Sequence, residues 1–245
     1  MTARILGIVG GTGPESTIDY YRSLVATWRR RRPDGSYPRL LIASIEAGRV
    51  MDLLTAGEYA SVAEVLSEAV EQLAAGGAGM ALLASNATHL AYNDLTRTAS
   101  IPLVHIVDAT RDAARHGKHH RLALLGTRFV MQAAMYPVRF EAAGIEIVIP
   151  NQTEQDYVHE KYLGELVPGI VLGTTREDLV GIITRMRDRE GIDGIILGGT
   201  ELALILTEPS YAQVPILNTT QIHVERGVDW LLGLDEPASA GIEAG

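Results

Sequence analysis

Short apolar runs alternate with longer amphipathic stretches along the whole chain, a pattern that restricts the fold to α/β with parallel strands. Arg4–Val9, Leu40–Ser44, Met80–Ala84 and Ile101–Val107 read as buried strands in the first half, and Leu122–Leu125, Ile145–Ile149, Gly194–Leu197 and Val214–Leu217 in the second. Ser16–Arg31 carries Tyr20, Leu24 and Trp28 four apart, and Tyr59–Ala75 places Val62, Val65, Leu66, Ala69, Val70 and Leu73 on one face, so both are helices. Ala133–Ala143, Gln155–Val167 and Arg176–Glu190 are the later helices.

The pattern also repeats. Leu6–Thr12 resembles Leu122–Thr127, each a strand ending in a glycine turn, and about 75 residues after each comes a second strand with a small polar end. That end is Ser85-Asn86-Ala87-Thr88-His89 in the first half and Gly198-Gly199-Thr200-Glu201 in the second. The expected fold class is therefore α/β, with two pseudo-symmetric, Rossmann-like three-layer domains of mainly parallel sheet and an active-site cleft between them. Residues 1–110 with 215–233 form the first expected domain, 111–214 the second, and 234–245 a frayed tail.

Composition excludes several function classes. The sequence has no cysteine, which removes disulfides, Cys-ligated metals and thiol nucleophiles. A formal net charge of −9 disfavours nucleic acid or an anionic membrane as partner. No apolar run approaches the roughly 20 residues of a membrane span. The N-terminus enters a strand without signal-peptide organisation, so a cytoplasmic location is expected.

The polar strand ends are the candidate chemistry. Gly10-Gly11-Thr12-Gly13 joins a strand to a helix; it reads as a tight turn or as an anion site built from backbone amides, with neither P-loop nor dinucleotide spacing. Ser85–His89 and Gly198–Glu201 each read alone as a polar helix cap; as a symmetric pair they point to ligand binding at the carboxyl ends of parallel strands. Gly126-Thr127 adds a third polar corner. Arg29–Arg32 reads as a solvated helix end, Arg115–Arg121 as an exposed loop between the halves, and His105 as a core histidine. No G-x-S-x-G elbow surrounds Ser85.

Over roughly Arg4 to Leu232 the chain resembles the cofactor-independent aspartate/glutamate racemase family. The resemblance is carried by GIVGGTGPEST (Gly7–Thr17), the Asn86/His89 segment, IPLVHIVDAT (Ile101–Thr110), LLGTRFVM (Leu124–Met131) with Tyr136, GIEIVIP (Gly144–Pro150), Glu160–Gly169 and LGGTEL (Leu197–Leu202). It implies two α/β domains around a cleft, a homodimer, a small amino-acid or carboxylate substrate, and neither cofactor nor metal. It also implies two cysteines flanking the substrate α-carbon, one removing a proton and the other returning one to the opposite face. Here those positions are Ser85 and Gly199, and the usual Asn-Thr reads Asn86-Ala87, with threonine displaced to Thr88. Two-thiol racemisation is incompatible with this sequence.

What the resemblance leaves is a carboxylate-recognition set: Gly11 and Thr12 of the glycine turn, Asn86, Thr127, Lys161 and Gly199, with Glu46 and Arg49 from a segment that matches the family poorly. Ser85, His89, Thr200 and Glu201 are the expected catalytic groups, and Glu46 is a further candidate proton carrier, since a buried carboxyl can titrate near neutrality. Loss of a side chain at Gly199 is expected to enlarge the cleft. Two functions follow: an enzyme with altered isomerase, lyase or cyclase-type proton chemistry, or a catalytically silent carboxylate-binding or regulatory protein.

Overall fold

In the computed structural model, which describes residues 4–234, β1 (Ile5–Gly10) pairs in parallel with β2 (Arg39–Ser44) on one side and β3 (Met80–Leu83) on the other. β1 and β3 are buried almost throughout, as parallel strands covered on both faces must be. Leu6 and Ile8 share one face and pack with Tyr20 and Leu24 of the helix Pro14–Arg31 and with Val224 and Val228 of the helix Thr219–Leu231. Gly7 faces the other way, toward Leu73 of the helix Tyr59–Ala75. Helices therefore cover both faces of this sheet.

The second sheet repeats the plan. β4 (Arg121–Leu125) lies between β5 (Glu146–Val148) and β6 (Gly194–Leu197), all parallel. A short β7 (Ser210–Tyr211) runs antiparallel to β8 (Val214–Asn218), and the order is β5-β4-β6-β8-β7. Ala123, Leu125, Ile195 and Leu197 pack against Ile182, Ile183 and Met186 of the helix Gly173–Glu190, and Leu122, Leu124 and Ile196 of the opposite face are also fully buried.

The two units are residues up to His105 with His223 onward, and Ile106–Ile222. This differs from the expected boundaries at 110 and 215. Val214–Asn218 does not return to the first unit: it pairs with β6, Ile195 opposite Ile216 and Leu197 opposite Asn218. The chain re-enters the first unit only at His223, where Val224, Val228 and Trp230 begin an apolar face that completes the Leu6–Ile8 core. At the other boundary, Ile101–Val107 is not a strand. Pro102 lacks a ladder donor, so the segment makes one bridge, Leu103 to Ala81, and the helix Ile106–His116 follows. That helix belongs to the second unit, where Asp108 meets Arg139 at 3.4 Å.

Arg30 and Arg31 pair with Glu225 and Asp229, one turn apart on the helix Thr219–Leu231, so the arginine run is a helix end in ion pairs. Asp193 gathers His119 Nδ1 at 3.2 Å and the His120 amide at 2.7 Å, so the histidine-rich loop serves the start of β4. The helix Gln152–Lys161 starts earlier than its apolar pattern indicates because Asn151 and Glu154 form a reciprocal capping box, at 3.0 and 3.2 Å. It continues into a π-helical turn, Tyr162–Leu166, closed by Val167 N to Tyr162 O at 2.9 Å. Apart from Leu234, the expected tail lies outside the described residues.

Candidate functional site

Both sheets carry a topological switch point. From β1 the chain goes first to one neighbour, β2, and later to the other, β3; from β4 it goes to β5 and later to β6. Connections that leave in opposite directions open a crevice at the carboxyl ends of β1/β3 and of β4/β6, where open α/β sheets bind ligands. The polar strand ends singled out in the sequence occupy these two places.

At the β1/β3 end, Gly11 has φ +99°, and a Cβ there would lie 2.7 Å from Ile45 N, so only glycine suits this turn. Its amide donates to Thr17 Oγ1 at 2.9 Å and is taken up within the turn. Thr12 is half-buried. Ser85, Asn86, Thr88 and His89 are all buried. Asn86 occupies the N-cap of the 3-10 turn Ala87–Ala91 without capping it. The Ser85 carbonyl accepts the Thr88 hydroxyl at 2.9 Å, and His89 Nδ1 lies 2.8 Å from the same carbonyl oxygen. His89 is thus oriented by the Ser85 backbone; that contact gives the serine hydroxyl no base.

His89 also heads a buried ring cluster that sequence reasoning missed. His105 lies 5.0 Å and His223 5.6 Å from it between ring centroids, and Tyr92 stacks on it at 5.8 Å. His223 Nε2 is 3.0 Å from the Val104 carbonyl, which can only accept, so Nε2 carries the proton and Nδ1 accepts the Tyr20 hydroxyl at 2.9 Å. Burial, with the neighbouring His89, pushes His223 down to about 3.

At the β4/β6 end, the loops touch through Gly198 N to Leu125 O at 2.7 Å. Thr127 is the N-cap of the short helix Arg128–Met131 but makes no capping bond; its hydroxyl is buried without a hydrogen-bond partner among the described residues. Thr200 and Glu201 are each 3% exposed, and Thr200 Oγ1 donates to Glu201 Oε2 at 2.9 Å. The same oxygen accepts the phenol of Tyr162. Gly199 does not leave an open space: a Cβ there would fall on the edge of the Tyr162 ring, 2.8 Å from Cζ and 2.9 Å from Oη. The expected enlargement is therefore overturned, because an aromatic ring from the π-helical turn fills the volume.

Tyr162 lies with Val158 and Leu166 at i, i±4 on a buried face, so its sequence signal is that of a core residue. Burial first, and then the Glu201 carboxylate, hold its phenol far above the usual tyrosine range.

Two expected binding residues have other work, and a third is exposed. Glu46 is exposed and N-caps the helix Ala47–Ala56, accepting from the Gly48 and Arg49 amides at 2.8 Å each. Those amides hold its carboxyl below the usual range, so it is an ionised cap and not a buried proton carrier. Arg49 is exposed on the same turn. Lys161 meets Glu165 at 2.5 Å, and that contact raises its ammonium above the ordinary lysine value; Glu165 also takes the Thr175 hydroxyl at 2.5 Å. Its charge is already neutralised by this pair. No group of three or more His, Asp or Glu able to hold a metal occurs among the described residues, and no described helix is long and apolar enough to cross a membrane.

The sequence profile of the Asp/Glu/Hydantoin racemase family matches residues 9–227. The broad specificity amino-acid racemase RacX of Bacillus subtilis (strain 168) is 25% identical over 158 residues, 62% of this chain and 66% of RacX. Among solved structures, a Yersinia pestis protein proposed to be an Asp/Glu racemase superposes with TM-score 0.83 at 30% identity, covering 94% of this chain and 99% of that one. An aspartate racemase homologue from Pyrococcus horikoshii OT3 superposes with TM-score 0.81 at 31% identity, covering 94% and 100%.

Proposed function

Since the chain belongs to the Asp/Glu/Hydantoin racemase family, we propose that it is a cofactor-independent enzyme that moves a proton on a small amino or carboxylic acid, at the carbon beside the carboxylate, without thiols. RacX, a broad specificity amino-acid racemase, makes amino acids with varied side chains the first substrates to try. With no cysteine in the sequence, the acid and base are oxygen or nitrogen groups, and Glu201, His89 and Ser85 are the ones at the strand ends. A cytoplasmic homodimer is part of the same proposal.

The observation that carries this reading is the Thr127 hydroxyl, buried at the β4/β6 switch point with no partner among the described residues. Desolvating a hydroxyl without a hydrogen bond costs roughly 1–3 kcal/mol, a cost that a bound carboxylate would offset. Thr127→Val keeps the shape and removes the donor. It is expected to leave unfolding free energy unchanged or slightly higher while weakening binding of the substrate acid about tenfold or more. Calorimetric titration beside denaturant unfolding separates the two; unchanged affinity would remove Thr127 from the site.

The enzyme itself is tested by incubation with pooled amino and dicarboxylic acids in deuterium oxide. Deuterium at an α-carbon, or a new product, is expected. The second reading, a carboxylate binder without turnover, is favoured by one observation: the Tyr162 ring stands over Gly199, the position at which the resemblance implies the second thiol. Tight binding with no exchange and no product would select it.

A further inference from the structure

The β4/β6 end holds a phenol–carboxylate pair whose chemistry exceeds carboxylate binding. Tyr162 is 6% and Glu201 3% exposed, the phenol donates to Glu201 Oε2, and Thr200 Oγ1 donates to the same oxygen. Two donors converging on one oxygen leave it no direct approach for a third hydrogen, so a proton reaches it most easily along a hydrogen bond that already exists. Of the two donors, the phenol is the one that stands over Gly199, its oxygen 2.9 Å from where a Cβ there would lie.

We propose that Tyr162 and Glu201 form a proton relay serving the β4/β6 site. The phenol oxygen takes the hydrogen from the substrate carbon beside the carboxylate while its own proton passes to Glu201 Oε2. The C–H bond and the original Oη–H bond break, new Oη–H and Oε2–H bonds form, and the C–H electron pair moves into the adjacent carboxylate as an enediolate. Reversal returns a hydron to carbon, and no oxidant, reductant or co-reactant is consumed. A carboxylate is a weaker base than a thiolate, so the substrate class is narrowed to acids whose α-hydrogen is further activated by a second carbonyl or an unsaturated group. This rests on the enzyme reading above.

Wild type, Tyr162→Phe, Glu201→Gln and a variant with 3-fluorotyrosine at position 162 are compared in deuterium oxide with 2-acyl- and 2-aryl-substituted carboxylic acids beside ordinary amino acids. The phenylalanine and glutamine variants are expected to lose at least about 100-fold in the saturating exchange rate with affinity held within threefold. Fluorination, which changes phenol acidity but keeps the hydroxyl and ring in place, is expected to change both the rate and its solvent isotope effect. Exchange by Tyr162→Phe within threefold of wild type overturns the relay and leaves the enzyme reading standing. Should that variant fail to fold, a rate indifferent to fluorination overturns the relay equally. Absence of exchange with every acid in wild type overturns the enzyme reading and the relay together.

Discussion

Placing a cysteine at position 199 is expected to destabilise the fold by about 2–3 kcal/mol, the cost of overpacking a filled interior. The new Cβ would overlap the Tyr162 ring, and the ring cannot withdraw freely. Its hydroxyl is tied to Glu201, and it packs in the core that includes Val158, Leu166 and Leu202. Gly199→Ala, with the same Cβ, should cost nearly as much. Shortening the neighbour relieves the conflict: in Gly199→Ala combined with Tyr162→Leu, the loss should fall at least about 1 kcal/mol short of the sum of the single variants, as coupled contacts do. Denaturant unfolding of the four proteins measures this, and strictly additive losses would disprove the overlap.

Acidification is the second large effect. His223 is fully buried and neutral, donating to Val104 O and accepting from Tyr20, with His89 facing it and His105 against His89. Its pKa falls from an ordinary 6.5 to about 3 on folding. Between those values the unfolded chain binds a proton that the folded chain refuses, so stability is fully present above pH 6.5 and declines as pH falls toward 3. The slope is about 1.4 kcal/mol per pH unit for one proton, which by pH 4.5 amounts to roughly 2–3 kcal/mol. Carboxylates held low, such as Glu154 between Arg185 and Arg189, keep their contribution down to the ordinary glutamate value of 4.5 and lose it only below that, so the histidine accounts for the upper part of the decline. His223→Gln should flatten the dependence of unfolding free energy on pH by close to one proton between 4.5 and 6.5. Equal slopes in both proteins would refute the assignment.

Much of the fold was legible in the chain because periodicity reports burial directly. Tyr59–Ala75 was readable from Val62, Leu66, Val70 and Leu73, and the parallel strands from continuous apolar runs ending in glycine. The errors fell where local pattern and tertiary pairing part. Ile101–Val107 is apolar enough for a strand, yet Pro102 and the helix that follows leave it a single bridge. Val214–Asn218 looks alike whichever sheet receives it, and register with β6 decided the matter. In the candidate site, the strand ends Ser85–His89, Thr127 and Thr200-Glu201 could be found from small polar residues after apolar runs. Lys161 and Glu46 could not be judged, because their partners Glu165 and the Gly48 and Arg49 amides are revealed only by the helices that bring them near.

The sequence by itself determined the α/β class, the repeated strand–glycine–polar plan, the absence of any thiol and the positions of the strand ends, since each is a property of residue type and spacing along one dimension. Only the tertiary structure decided that Tyr162 stands over Gly199 and that three histidines share one interior. Those contacts join residues 37 positions apart for the first, and up to 134 for the second, through packing of elements whose side-chain periodicity says merely that a residue is buried, not what it meets there.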